Sequence, residues 1–258
     1  MNRLKFEIIK LIIRRAASNK HIPFRKLIVW EPWVGCNPVS EACRNCYYAY
    51  RSNTTLEKTS DFARVKFTEG KSVVTGFMSD WFHPSADPWR AEMWRTIKDN
   101  PNVTFLLLTK RIERFYINLP NDWGSGYTNV RIGVTVENQY QADIRLPILL
   151  DIPAKGKFIS CSPLLENINI ASYLKGIQYV SVAGEVAKEG RILDFEWVVS
   201  LKNQCEKFGI EMFFKDTGSL VKVDGIVEKV PRLFQRRKAK KLSSLIKMNP
   251  PEAPCTPY

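Results

Sequence analysis

In Val103-Thr104-Phe105-Leu106-Leu107-Leu108-Thr109-Lys110-Arg111, residues Val103–Leu108 read as one buried strand, which ends in Thr109 and two cations. The run is apolar without alternation, so both faces of the strand need cover, as in a parallel sheet flanked by helices. Comparable runs occur at Lys26–Trp33, Ser72–Met78, Val130–Val136, Lys157–Cys161, Tyr179–Ala183 and Glu211–Phe214. Helical spacing is expected near 85–99, 111–118, 139–151, 164–174 and 194–208. Strands alternating with helices at this spacing imply right-handed crossovers and a parallel sheet. The expected fold is α/β, a complete or partial (β/α) TIM-like barrel in a single domain. A doubly wound open sheet is the structural rival.

The residues that follow the strands carry the chemistry. The first strand leads into a cysteine cluster and the second into Ser79-Asp80-Trp81-Phe82-His83. The third ends in Thr109-Lys110-Arg111, the fourth in Glu137-Asn138 and the fifth in Ser160-Cys161-Ser162. The sixth reaches Gly184-Glu185 and the seventh Lys215-Asp216. In (β/α) barrels the C-terminal ends of the strands form the active face. Some of these residues will simply end strands: His83 has the sequence context of a helix cap, since Pro84-Ser85 follows, and Lys215-Asp216 can be a turn.

Three of the six cysteines, Cys36, Cys43 and Cys46, fall within eleven residues with C-x6-C-x2-C spacing. On one loop they can reach a single metal centre. Six cysteines in a chain this long make no disulfide scaffold, so a reducing cytoplasm with a metal or cluster site is expected. Three thiolates suit an iron–sulfur cluster with one iron left open. A structural zinc site closes with four ligands, and Cys161, Cys205 or His83 would have to supply the fourth.

The net charge of +13 is concentrated at the ends. Residues 1–26 carry eight Lys/Arg and one acid, and residues 229–247 carry eight Lys/Arg and no acid. The remainder is close to neutral. Cationic ends suit a polyanion, DNA first, through phosphate contacts and counterion release. The plainer alternative is a pair of solvated helix faces, and Phe234, Leu242 and Leu245 fit an amphipathic helix. No run of about 18 apolar residues exists, so no membrane span is expected. The interrupted apolar run at Ile8–Ile13 is not read as a signal peptide. The expected organisation is a basic extension over 1–26, a core over 27–220 and a second basic extension over 221–258.

Over residues 27–220 the chain resembles a radical S-adenosylmethionine (SAM)-like family common in phages and prophages. The resemblance begins at Trp30-Glu31-Pro32-Trp33-Val34-Gly35-Cys36 and runs through Cys46-Tyr47. It continues in order through Phe77–His83, Leu107–Arg111, Gly133–Asn138, Phe158–Leu165, Ala183-Gly184-Glu185, Trp197–Cys205 and Met212–Gly218. One departure is visible: Ala183-Gly184-Glu185-Val186-Ala187 stands where family members often carry Gly-Gly-Glu-Ser-Gly.

The resemblance implies a radical-SAM barrel with a [4Fe–4S] cluster on Cys36, Cys43 and Cys46. It implies reductive cleavage of SAM to a 5′-deoxyadenosyl radical, with a reductant protein as electron donor. Asp80, Thr109 and Glu137 become expected SAM contacts, Tyr47 an adenine neighbour or a core aromatic, and Lys110, His83 and Glu185 expected catalytic residues. Some phage relatives resemble enzymes of thymine hypermodification, which points to an isomerase acting on a glycyl-modified thymine in DNA. Trp33, Trp81 and Phe82 are then candidates to stack on a flipped base, against the simpler reading that they pack in the core. A small metabolite or a protein is the alternative substrate, and a non-catalytic zinc or nucleic-acid-binding module the alternative to an enzyme.

Overall fold

The computed structural model describes residues 27–46 and 55–246. The basic segment 1–26, Tyr47 and Cys255 lie outside the described residues. The strands are β1 (Leu27–Val29), β2 (Trp33–Val34), β3 (Glu57–Lys58), β4 (Ser72–Thr75), β5 (Thr104–Thr109) and β6 (Val130–Thr135). They continue with β7 (Lys157–Cys161), β8 (Tyr179–Ala183), β9 (Ile192–Asp194), β10 (Glu211–Asp216), β11 (Leu220–Val223) and β12 (Ile226–Lys229). The helices are α1 (Asp61–Arg64), α2 (Asp87–Lys98), α3 (Gln139–Asp151), α4 (Phe195–Lys207) and α5 (Gln235–Leu245).

Seven strands form one sheet in the order β1-β4-β5-β6-β7-β8-β10, with every neighbouring pair parallel. Spatial order follows chain order and never reverses, so there is no switch point of the kind a doubly wound sheet requires. The sheet curls into a partial barrel whose edge strands β1 and β10 do not pair with each other.

The uninterrupted apolar runs are explained by cover on both faces. On one face Val73, Phe105, Leu107, Ile132, Val134, Ile159, Val180 and Val182 join the large core beneath the helices. Alternate residues Val74, Leu106 and Phe158, with Val29, Val34 and Met78, form a second apolar cluster on the opposite face. Phe158 lies across β6 because Gly133 has no side chain: a Cβ there would sit 2.1 Å from the Phe158 ring. The ring in turn stacks on Tyr179, at 5.0 Å between centroids.

Four expectations are corrected by the fold. The first strand stops at Val29, and Trp33–Val34 turns away to pair with β3; Pro32 between them has no N–H to continue a ladder. The segment 164–174 is a loop with one 3-10 turn at Ala171–Tyr173. There Asn169 accepts from the Ala171 N–H, a local bond that competes with helix, and Gln204 serves the Ile168 and Ile170 backbone. Of 111–118, only Ile112–Arg114 forms a 3-10 turn, and Asn118 ends the segment with φ 58°. Finally, the boundary expected at 220 falls within β11. That strand pairs with β9 and β12, and α5 buries Gln235, Ala239 and Leu242 in the core, so 220–246 is built into the fold.

Gly133→Ala is expected to cost about 1–3 kcal/mol by overpacking. The cost should shrink when Phe158→Leu is added, because both changes act on one contact. Urea unfolding of the two single variants and the double variant measures the coupling; strictly additive effects would show that the ring does not need the glycine.

Candidate functional site

The site lies at the C-terminal ends of β1, β4, β5 and β8. Leaving β2, the chain turns at Gly35 with φ +105°, where a Cβ would stand 2.4 Å from the Thr55 carbonyl oxygen. Only glycine meets both conditions without strain. The cysteine loop follows, with a 3-10 turn at Glu41–Cys43. Cys43 N–H donates to the Ser40 carbonyl and Cys46 N–H to the Cys43 carbonyl.

Asp80, after β4, organises the neighbouring strand end. Its carboxylate accepts from Phe82 N–H (2.9 Å), Thr109 Oγ1 (2.6 Å) and Lys110 N–H (2.8 Å), and pairs with Arg111 Nη1 at 3.1 Å. Thr109 Oγ1 in turn accepts from Arg111 N–H at 2.8 Å. This arrangement aims both cations at the cysteines. Arg111 Nη2 donates to the Asn37 carbonyl at 2.8 Å, its Nη1 lies 3.6 Å from Cys36 Sγ, and Lys110 Nζ lies 3.7 Å from Cys43 Sγ.

The two thiols feel different balances. Burial raises the Cys36 thiol above its ordinary pKa, against the opposing pull of Arg111. At Cys43 burial also acts upward, but the Lys110 charge and hydrogen bonds from the Val39 and Ser40 backbone outweigh it, and the thiol is lowered. Cys46, half-buried, packs against the smaller apolar cluster. Among the described residues no group of three or more His, Cys, Asp or Glu stands in a ligating arrangement. The donor chemistry nonetheless fits an anionic thiolate-held cluster: three thiols share one loop, and two of them lie against buried or half-buried cations.

A second set of contacts clamps this loop to the far side of the sheet. Glu185, after β8, accepts from Asn45 Nδ2 (2.9 Å), Arg191 N–H (2.9 Å) and Arg191 Nε (3.0 Å), and also pairs with Arg191 Nη2. Arg191 Nη1 then reaches Glu41 Oε1 at 2.9 Å. Two loop residues, Glu41 and Asn45, are thereby tied to residues some 140 to 150 positions away.

A third tie is Glu31, between β1 and β2. Its buried carboxyl accepts from Gly76 N–H (3.2 Å) and Phe77 N–H (2.8 Å), joining the β1 end to the β4 loop. Burial pushes its pKa up to about 8, against the lowering effect of those N–H groups.

The other expected residues are placed as follows. His83 Nδ1 accepts from Ser85 N–H at 3.2 Å and caps the Pro84–Ala86 turn, while Nε2 is buried with no partner among the described residues. Burial and then the Arg111 charge lower its pKa, so neutral imidazole is favoured. Glu137 is fully buried; one oxygen accepts from Arg145 Nη1 at 2.8 Å, and Oε1 has no partner among the described residues. Asp216 is held by Arg232 (2.8 Å) and Arg236 (3.7 Å), and burial pushes its neighbour Lys215 down to about 8.

The stacking role raised for Trp33, Trp81 and Phe82 is corrected. All three are buried, with Trp33 and Trp81 centroids 5.1 Å apart and Trp81 against Trp94 at 5.5 Å. Their rings have no face free for a base. Cys161 and Cys205 are likewise buried in the main core, with thiols raised by burial. Sequence reasoning did not find Glu31, Glu41, Asn45, Arg145 or Arg191. Glu41 and Asn45 stand between the cysteines, but the spacing gives them no role of their own. Glu31, Glu41, Asn45 and Arg191 gain theirs from partners distant in the chain, while Arg145 reaches back from its helix to Glu137.

A family profile described as Protein of unknown function (DUF5131) matches residues 20–247, and the chain belongs to that family. No curated protein and no solved structure matches it. No helix among the described residues is long and apolar enough to cross a membrane.

Arg191→Gln should speed amide exchange across residues 36–46 and accelerate alkylation of their cysteines several-fold, with little change in the sheet. Unaltered exchange in that loop would refute the clamp. A raised folded pKa at Glu31 favours the protonated fold. Its contribution is therefore full below about 4.5 and lost as pH rises through about 8. Glu31→Gln should flatten the fall in unfolding free energy across that window, as read by denaturant titrations at several pH values.

Proposed function

We propose that this DUF5131 chain is a radical SAM enzyme that modifies a nucleobase, with a glycyl-substituted thymine of phage DNA as the lead substrate. In this reading Cys36, Cys43 and Cys46 hold a [4Fe–4S] cluster, in the cytoplasm of a bacterial or phage-infected cell. The observation that carries it is the pairing of two thiols with Lys110 and Arg111 at the C-terminal end of a partial parallel barrel. Cations beside thiolates offset the negative charge of a bound cluster and tune it. The ordered resemblance over 27–220 supports the same chemistry. Cys36, Cys43 and Cys46 would hold the cluster, which, when bound and reduced by a partner protein, would supply the one-electron chemistry of reductive SAM cleavage.

The remaining roles belong to the chain. Asp80 and Thr109 hold the Lys110 and Arg111 backbone, so that the cations are positioned before any ligand arrives. Lys110, half-buried, offers its charge to a carboxylate of SAM or of a glycyl group. Glu137 Oε1 has no protein partner among the described residues and is the SAM contact assigned to that side chain. His83 Nε2 is the site assigned to proton transfer. Glu185 acts through the loop it clamps, as a positioning residue. Tyr47 is assigned to the adenine.

The lead reaction moves the attachment of the glycyl group from its nitrogen to its α-carbon. Its first requirement is an α-hydrogen that a primary carbon radical removes readily, and a glycyl group meets it because the product radical is stabilised by its neighbours. A base in duplex DNA must leave the stack to reach the barrel end. The zinc alternative is weakened by the burial of Cys161 and Cys205 in the core, which takes away two of its fourth ligands.

Purified without oxygen, the protein should be brown, with about four irons per chain, and should release 5′-deoxyadenosine from SAM on reduction. Cys43→Ala should lose the iron and the colour while keeping the far-UV spectrum of the folded chain. A colourless protein carrying stoichiometric zinc would sink the proposal.

A further inference from the structure

We propose that the groove between β12 and α5 is a docking site for single-stranded nucleic acid. The inference deepens the nucleic-acid part of the proposed function and rests on it for the class of partner, but not on the iron chemistry. The groove measures about 330 Å³. Its floor is apolar, formed by Val230, Pro231 and Phe234, and its wall is the cationic face of α5, Arg237, Lys238 and Lys241. The one acid in the lining, Glu228, is neutralised by Lys238. Arg237 and Lys241 have no acidic partner among the described residues, and Lys240 beside them is exposed. The wall therefore presents uncompensated positive charge over an apolar strip.

The aromatic residue makes the pattern specific. Phe234 is 49% exposed at the start of α5, where burial would ordinarily be favoured, and the Arg237 guanidinium stands 5.7 Å from its ring centroid. A cationic groove with an accessible aromatic platform is the arrangement that tracks a strand's phosphates and stacks its bases. A duplex offers no free base face to Phe234.

An anionic membrane is the competing occupant, since Leu233 and Ile226 are also exposed. The helix argues against it. An interfacial helix needs a continuous apolar stripe free for the acyl boundary, whereas α5 spends Ala239 and Leu242 on the protein core and leaves Leu245 as a single exposed apolar side chain at its end.

The test uses the full chain and a labelled oligothymidylate of about twelve nucleotides, a duplex of equal length, and vesicles with and without phosphatidylserine. Binding of the single strand should weaken with salt and exceed binding of the duplex. Phe234→Ala should weaken it about tenfold. Arg237→Gln with Lys241→Gln should reduce the slope of log affinity against log salt by about 1.4, which is about 0.7 for each phosphate left without its cation. All these positions are at the surface, and unchanged thermal unfolding checks that the variants fold. If the chain binds the strand and the variants bind it with the same affinity and slope, the groove is not the site, and the wider nucleic-acid reading survives. Capture by phosphatidylserine vesicles with no oligonucleotide binding would also overturn it. Retained, variant-sensitive binding by a chain that assembles no cluster supports the groove while the enzyme reading falls.

Discussion

A carboxylate buried at the end of a parallel sheet has to find donors there, and Asp80 finds four: two backbone N–H groups, the Thr109 hydroxyl and the Arg111 guanidinium. An unpaired buried charge costs several kcal/mol, so each of these donors is held firmly in place. The consequence extends beyond Asp80. The backbone after β5 is pinned in the one course that sends Arg111 to Cys36 and Lys110 to Cys43. The course of the two cations toward the cysteine loop is thus set in large part at the β4–β5 junction, with the Asn37 carbonyl of the loop as a further anchor for Arg111.

The loop is restrained from three sides. Arg111 holds the Asn37 carbonyl, Glu185 holds Asn45, and Arg191 holds Glu41. A segment of ten or so residues with little regular structure would otherwise retain much of its backbone freedom, at about 1–2 kcal/mol per residue. Partial closure of the barrel brings the β8 end within reach of a loop that leaves β1 and β2. An open flat sheet would set those strand ends far apart. The curl of the sheet and the order of the loop are one constraint.

The strand positions and most helix positions were legible in the sequence because they rest on local apolar runs with both faces covered. Lys157–Cys161, Tyr179–Ala183 and 139–151 coincide with the observed elements. The errors arose where a local polar contact overrode periodicity, as at Asn169, or where Pro32 broke an apolar run. The small sheet of β9, β11 and β12 was missed because its strands are only three or four residues long, and β12 is exposed throughout. Too few residues repeat there for a pattern to register.

The cysteine spacing, the cations after β5 and the cationic C-terminal segment are facts of covalent order, and the sequence alone determined them. Their meaning came from the tertiary structure. Folding turned Trp33, Trp81 and Phe82 inward and joined Glu185 to Asn45 across some 140 residues. It also left Phe234 exposed beside Arg237. Chemistry that depends on residue type and short spacing survives as linear information, whereas burial and charge pairing depend on which surfaces the closing sheet brings together.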